Sequence, residues 1–179
     1  MNFSIHDTAK AHVRRPEQVI FFLISRQTFA IAAEAVKEIR STDSLAGAAV
    51  ELENPEVPKV RHVVERGRRA YYVLSGCEHF HLPLTRPSLA LVLRQFRVAL
   101  LVDSVERIAE IPAVYPLPLA FSGEERVWYR GLTVLDQNVL PVVSPEGFLT
   151  REELFFLDAS AGTQTSTDSK MDSEMRVAP

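Results

Sequence analysis

Three potential metal ligands lie close together in the middle of the chain. Cys77, His79 and His81 are spaced two residues apart, which on an extended strand would place a thiolate and two imidazoles on one face. Consecutive ligands at this spacing rarely converge on one tetrahedral ion, a helical turn would scatter them, and no fourth ligand is evident. The pattern therefore favours a structural, partly buried Cys/His cluster, and we expect no metal.

The segment before and after Glu65 is basic and could contact phosphates, with two tyrosines following it for base stacking. Its members are Lys59, Arg61, His62, Arg66, Arg68 and Arg69, followed by Tyr71 and Tyr72. Glu65, an acidic stretch just upstream and a formal net charge of −3 oppose this interpretation. Charged residues also protect exposed sheet edges from aggregation, so we predict a solvated hairpin edge and no nucleic-acid partner.

The sequence contains no recognisable catalytic constellation. Asp103 follows a buried strand, but no His or Ser is placed by pattern to work with it, and its expected role is to cap a turn or to hydrogen-bond the neighbouring backbone. Glycine-rich phosphate loops and the HExxH motif are absent. Trp128 and Tyr129 lie at the start of a strand and are typical of core or rim aromatics. We therefore expect a protein that is not an enzyme and needs no cofactor.

Composition is that of an ordinary globular protein. The chain has 179 residues, of which 46% are hydrophobic and 24% charged. The single cysteine, Cys77, cannot form an internal disulfide, and residues 1–15 lack the apolar core of a signal peptide. The longest apolar runs, such as 19–24 and 98–102, are far too short to span a bilayer. These features predict a cytoplasmic protein without membrane insertion.

Short runs rich in Val, Leu and aromatics, joined by polar turns, predict at least three β-hairpins. The paired segments are Val19–Ile24 with Thr28–Ala32, Leu89–Leu93 with Val98–Val102, and Val127–Leu135 with Val139–Val143. Residues 70–74 are a further strand candidate. Between Val102 and Ile111 apolar residues recur every third position, so the chain is expected to twist, bulge or turn helically there. The pattern indicates an all-β fold, with barrels or a sandwich as the options.

Helix is predicted at only two places. Helix-forming residues in Glu34–Ile39 suggest one turn that places Val36 and Ile39 against the core. Thr150 and Glu153 form a capping box at the start of a short C-terminal helix, whose buried end is supplied by residues 155–157. We predict a flexible arm over residues 1–16, one domain over 17–157 and a disordered polar tail over 158–179.

Three stretches together resemble the CheW family of chemotaxis coupling proteins. Val19–Leu23, Phe29–Ile31 and Val36–Arg40 are similar to the family's opening hairpin and its V-x-E-I-R segment. VALLVDSVERIAEI at 98–111 resembles its "GIVVDxVxxVxxL" strand and turn. Residues 129–154 are similar to its closing "GLxxLxDRxLxLLDxxxLLSxEE" segment. Order and spacing also agree, so the resemblance covers approximately residues 18–158.

The resemblance implies two small β-barrels packed over a shared hydrophobic core, with short helical turns and a short C-terminal helix. It also implies a non-enzymatic adaptor that couples a CheA-type histidine kinase to the cytoplasmic tip of a chemoreceptor. Val36 and Glu38 match positions of receptor contact, and Arg66–Gly67 is similar to the end of the family's "N-L-R-G". With Tyr71 on the neighbouring strand, these are the residues we expect to bind a partner.

The middle of the chain departs from the family pattern. Val64 stands where the family has Asn, and Tyr71–Gly76 replaces the family's "P-x-x-D-L". The prediction therefore includes a second form of the same function, in which the protein is a divergent adaptor that serves a related chemosensory array. The alternative function is a small β-barrel that binds an apolar small molecule between hairpins, using Trp128, Tyr129 and the proline loop 112–118.

Overall fold

The computed structural model describes residues 16–46, 49–52, 56–66 and 69–161. The strands in these ranges are β1 (Glu17–Ile24), β2 (Gln27–Ala32), β3 (Val36–Ser41), β4 (Ala49–Glu51), β5 (Val60–Arg66), β6 (Arg69–Ser75), β7 (Leu89–Leu93), β8 (Val98–Val102), β9 (Ser104–Ile111), β10 (Tyr129–Leu135) and β11 (Asn138–Val143). The helices are α1 (Thr42–Ala46), α2 (Gly76–His79), α3 (Glu125–Trp128) and α4 (residues 151–161), with 3₁₀ turns at Ala33–Ala35 and Pro145–Gly147. Each helix in the described part of the chain is too short to span a lipid bilayer.

The three predicted hairpins are confirmed as β1–β2, β7–β8 and β10–β11. The first and third close through the two-residue turns Ser25–Arg26 and Asp136–Gln137. All four turn residues have positive φ, between 50° and 67°. This is the left-handed turn geometry that follows the twist of a hairpin, and it is more often supplied by Asn-Gly or Asp-Gly. The third hairpin begins at Tyr129, because Val127 lies in α3.

Within the described residues, the strands form two sheets. One has the order β10-β11-β2-β1-β9 and the other the order β3-β7-β8-β6-β5-β4. We call them the five-stranded and the six-stranded sheet. The chain builds β1 and β2 of the first, completes the second with β3 to β8, and then returns to pair β9 with β1. The six-stranded sheet is thus formed by one continuous segment, residues 36–102, which lies in sequence between the two parts of the five-stranded sheet.

A hydrophobic core lies between the two sheets because one face of each carries the largest apolar side chains. Phe22 and Phe29 enter it from the five-stranded sheet, and Leu91, Leu100 and Tyr72 from the six-stranded sheet; all five are at most 1% exposed. We call this the shared core. Each sheet also has a smaller cluster on its opposite face, around Tyr71 in the six-stranded sheet and Phe21 in the five-stranded sheet. Because successive side chains of a strand point to opposite faces, the same strands contribute residues to the shared core and to the smaller clusters.

The predicted pair of closed barrels is not confirmed, because both sheets are open in the described part of the chain. A single bridge joins Tyr115, in the loop after β9, to Leu132 of β10. Pro112, Pro116 and Pro118 surround Tyr115 and have no backbone N–H to donate, so a continuous ladder cannot form there. The coarser prediction holds: the protein is mostly β.

The helical turn predicted over Glu34–Ile39 is wrong. A 3₁₀ turn ends at Ala35, and the chain then continues as the strand β3. Val36 is buried but Ile39 is 40% exposed, so only Val36 packs in the core. Helix propensity in so short a segment was overridden by pairing of β3 with β7. Residues 104–111, where the period of two was lost, form the strand β9 with a register shift opposite Phe21 and Phe22.

The C-terminal helix extends further than predicted. Thr150 and Glu153 form the expected capping box: the Glu153 amide donates to Thr150 Oγ1 over 3.1 Å, and the Thr150 amide donates to Glu153 Oε2 over 2.8 Å. The helix then continues to residue 161, into the segment predicted to be tail. Residues 1–15 of the predicted arm and 162–179 of the predicted tail lie outside the described residues.

Candidate protein–protein interface

The described members of the predicted partner-binding set all lie on the six-stranded sheet. Val36 and Glu38 belong to β3, which is one edge of this sheet. Tyr71 belongs to β6, three positions further in, and Arg66 ends β5, where its backbone pairs with Arg69. Gly67 lies outside the described residues. These residues thus share one sheet, but Val36, Glu38 and Tyr71 have different surroundings within it.

A β-bulge makes Val36 and Glu38 face opposite sides of the sheet. Residues two apart on a regular strand share a face. Here the register shifts by one residue: Val36 pairs with Leu93, whereas Glu38 pairs with Val92. Leu93 faces the shared core and Val92 faces the smaller cluster. Val36 is consequently a core residue and is 6% exposed. Glu38 lies on the opposite face of the sheet, where its side chain is partly exposed.

The remaining residues of β3 form a surface strip that we call the β3 edge, consisting of Lys37, Glu38, Ile39 and Arg40. Arg40 Nε donates to Glu38 Oε2 over 3.1 Å, and both side chains are partly exposed. Ile39 points to the other side and is 40% exposed. The β3 edge thus combines charges of both signs with an exposed apolar side chain on the outermost strand at one side of the six-stranded sheet.

Arg94, in the turn between β7 and β8, holds the beginning of β3 in place. Its amide donates to the Ala35 carbonyl over 2.8 Å, and its Nε donates to the Glu34 carbonyl over 3.1 Å. Its Nη2 also approaches the Val36 carbonyl at 3.4 Å. These contacts satisfy backbone acceptors where the 3₁₀ turn changes into strand. In the sequence Arg94 is only one of the polar residues between two predicted strands, and its spacing from β3 gives no signal of this role.

Tyr71 is only 3% exposed and packs in the smaller cluster of the six-stranded sheet. The Lys37 ammonium lies 5.9 Å from the centre of its ring, a cation–π contact that links the β3 edge to β6. Small residues of the intervening strands, Ala90 and Ala99, lie in the same cluster. Tyr71 therefore supports the face beneath Lys37 and does not present its own ring to a partner.

The candidate metal ligands are dispersed, because residues 76–79 form the short helix α2 and not a strand. Cys77 and His79 are buried, whereas His81 is exposed. No group of three or more His, Cys, Asp or Glu side chains in the described residues is placed to hold a metal ion. The basic segment is also partly neutralised: Lys59 pairs with Glu153 at 2.7 Å and Arg61 with Glu78 at 2.5 Å.

Trp128 and Tyr129, the residues of the alternative small-molecule function, pack as core aromatics. Tyr129 stacks on Phe80 at a centroid distance of 5.8 Å, and burial raises its pKa to about 12. Trp128 contacts His79 at 5.1 Å and Phe80 at 5.9 Å. Their ring faces are therefore occupied by neighbouring protein side chains. This packing supports the core interpretation and gives the alternative function no support.

Asp103 has the structural role that its position suggested. Its Oδ2 accepts from the Ser25 amide over 2.7 Å and its Oδ1 accepts from the Thr85 hydroxyl over 2.5 Å. Its backbone carbonyl accepts from the Ser88 hydroxyl, also over 2.5 Å. One carboxylate thus connects the β1–β2 turn to the linker before β7. Hydrogen bonds to a charged acceptor are strong enough to support the positive φ of Ser25.

The fold is a mostly β domain of two open sheets, in which β3 is one edge of the six-stranded sheet. The chain matches the model of the CheW-like domain over residues 18–153. Its fold is similar to the crystal structure of the scaffolding protein TtCheW from Thermoanaerobacter tengcongensis, with a TM-score of 0.63, 14% identity, and coverage of 76% of this chain and 95% of that chain. A search of curated proteins finds no match. The chain belongs to the CheW-like domain family.

Proposed function

We propose that this protein is a non-enzymatic signalling adaptor of a chemosensory array. It couples a CheA-type histidine kinase to the cytoplasmic tip of a chemoreceptor, or serves a related array, and it acts in the cytoplasm through protein–protein binding. The observation that carries the proposal is the CheW-like match over residues 18–153, which includes nearly all of both sheets. The similar structure, TtCheW, is a scaffolding protein.

The β3 edge is the proposed partner contact. An outermost strand offers unpaired backbone groups to an incoming chain, and the side chains beside it determine which chain fits. Glu38 and Arg40 can exchange their mutual ion pair for partners of opposite charge, while Ile39 provides apolar area. Arg94 keeps the strand ordered before binding, which reduces the entropy lost on association.

The β5–β6 connection is proposed as a second contact, centred on Arg66 and Gly67. The strands β5 and β6 belong to the same sheet as the β3 edge, and the match to the family's "N-L-R-G" is the argument for this contact. Val36 and Tyr71 act indirectly in this proposal: Val36 anchors β3 in the shared core, and Tyr71 supports Lys37 from beneath.

The test is a pull-down with the purified protein from lysate of its own organism, with bound proteins identified by mass spectrometry. Wild type should recover a CheA-type kinase or a chemoreceptor, and Glu38→Arg should reduce that recovery by about tenfold or more, as for loss of a paired charge at an interface. Glu34→Arg is the matched control, because Glu34 is an exposed acidic residue just before β3. It should bind like wild type.

Circular dichroism should show that both variants remain folded. Recovery of neither partner by folded wild type would contradict the adaptor proposal. Recovery of a partner equally by wild type and Glu38→Arg would support the adaptor function but remove Glu38 from its interface.

A further inference from the structure

A groove of about 410 Å³ lies between α1 and one face of the six-stranded sheet. Side chains from β4, β5, β6 and β8 line it together with those of α1. Leu45 of α1, Val73 of β6 and Leu101 of β8 form its apolar part, and all three pack in or against the smaller cluster of this sheet. The groove therefore has an apolar interior that is built from segments distant in sequence.

Two polar side chains of the groove lie in one row across the sheet. Glu51 of β4 pairs with His62 of β5, and His62 pairs with Val73 of β6. Directly paired residues of neighbouring strands point to the same face, with their Cβ atoms about 5 Å apart. Because β4 is the outer strand of this row, Glu51 and His62 lie at its outer end and Val73 lies at its inner end. The groove is thus polar toward the edge of the sheet and apolar toward its middle.

The side chains of Glu51 and His62 are available to a ligand. Neither forms a hydrogen bond or ion pair with another described residue, and they are not paired with each other. Glu51 is exposed and His62 is partly exposed, so solvent reaches both. An ionised carboxylate only accepts hydrogen bonds, whereas a neutral imidazole carries one donor and one acceptor. The two side chains together match a head group that has both a donor and an acceptor.

The size and polarity of the groove fit a small neutral molecule. Small-molecule pockets usually measure about 300–1,000 Å³ and combine an apolar lining with a few polar groups that fix orientation. The groove lies at the lower end of this range. An anionic head would be repelled by Glu51. A neutral head also loses less free energy than a charged one when it leaves water for a partly apolar site.

We propose that this groove binds a small neutral amphiphile that has an apolar body and a primary carboxamide head. The body packs on Leu45, Val73 and Leu101. The head donates to the Glu51 carboxylate and accepts from the His62 imidazole; its donor and acceptor are separate atoms, which suits two side chains on neighbouring strands. The site is separate from the β3 edge and from the aromatic residues of the alternative small-molecule function. Its failure would leave the proposed adaptor function unchanged.

The experiment follows the NMR spectrum of the ¹⁵N-labelled full chain while heptanamide is added. The shift changes should saturate and should lie in α1 and in the strands β4, β5, β6 and β8. Three comparison compounds test the two requirements: acetamide keeps the head without the body, and heptanoate and heptylamine keep the body with an anionic or a cationic head. Each should bind about fivefold or more weakly than heptanamide.

Two variants and two matched controls test the location. Glu51→Leu removes the acceptor of the head group, and Ala46→Phe places a large side chain in the lining of the groove. Each should weaken binding of heptanamide about fivefold or more. Glu34→Leu and Ala120→Phe make the same changes at exposed positions outside the groove and should bind like wild type. Circular dichroism should show that all four variants are folded.

Several results would overturn the proposal. Absence of saturable binding would show that the groove holds no such ligand. Equal or tighter binding of a comparison compound would show that the body or the neutral head is not recognised. Unchanged affinity in both groove variants, or shift changes centred outside α1, β4, β5, β6 and β8, would place the compound elsewhere on the protein.

Discussion

At the scale of single residues, His79 is a buried imidazole in aromatic surroundings. It is 2% exposed and lies edge-on to Phe80 and Phe148, at centroid distances of 4.7 Å and 5.3 Å. Its Nε2 has no hydrogen-bond partner among the described residues. Burial, together with the charges of Lys59 and His81, lowers the pKa of His79 to about 3 from its ordinary value of 6.5. The folded protein therefore holds this side chain neutral.

This lowered pKa predicts a loss of stability in mild acid. Between pH 6.5 and pH 3 the unfolded chain binds a proton at His79 that the folded chain does not. The stability that neutral His79 contributes to the folded state is fully present above pH 6.5, its ordinary pKa in the unfolded chain. It is lost progressively as the pH falls from 6.5 toward 3. Going from pH 7 to pH 5 should lower the free energy of unfolding by about 2 kcal/mol through this residue. Urea denaturation at both pH values measures the change.

His79→Phe retains an aromatic ring and should remove this part of the pH dependence. His62→Gln, at a partly exposed histidine, is the control and should retain it. A His79→Phe protein whose stability falls with pH as steeply as that of wild type would show that other groups cause the effect.

At the scale of elements, α4 contacts both the shared core and the six-stranded sheet. Leu157 is fully buried in the shared core. Arg97 donates two hydrogen bonds of 2.7 Å to the Asp158 carboxylate, and the Tyr72 hydroxyl also donates to it. The Arg97 guanidinium lowers the pKa of Asp158, and burial raises the pKa of Tyr72. The sequence interpretation grouped Phe155 with the buried residues, but Phe155 is 72% exposed.

Leu157→Ala should destabilise the domain by about 3 kcal/mol, because it removes a buried side chain and leaves a cavity. Phe155→Ala, two residues earlier on the exposed side of the same helix, should change the free energy of unfolding by less than about 0.5 kcal/mol. Chemical denaturation compares the two variants with wild type. Equal effects of the two substitutions would show that α4 is not packed as described.

At the scale of the whole molecule, the chain order links the stability of the two sheets. β1 and β2 are separated from β9 to β11 by the entire six-stranded sheet, yet all five pair in one sheet. Both sheets contribute to the shared core. Neither sheet can keep its buried face if the other unfolds, because that face would be exposed to water.

This arrangement predicts a single unfolding transition. Trp128 is the only tryptophan of the chain. It contacts His79 and Phe80, which lie at the end of α2, the short helix that follows β6 of the six-stranded sheet. Its fluorescence should therefore report loss of the contact between sheets, while far-ultraviolet circular dichroism reports loss of strands. The two urea curves should coincide. Separate midpoints would mean that one sheet unfolds before the other, and would contradict the mutual dependence of the two sheets.

The sequence by itself determined the hairpins, the β class and the capping box. Each depends on contacts between residues close in the chain: alternating apolar residues in Leu89–Leu93, the polar turns, and Thr150 with Glu153. It also led to the family, because the order of these local segments is characteristic even where single motifs are weak. The binding role of the predicted interface residues remains a prediction.

Tertiary structure decided which way the interface residues face. The sequence cannot reveal the bulge that separates Val36 from Glu38, because it arises from the register of β3 against β7, a strand about fifty residues away. The same holds for the burial of Tyr71, which requires distant strands to be brought together. Local patterns specify which residues can form a strand, whereas exposure of each side chain depends on the neighbours that pairing and packing supply.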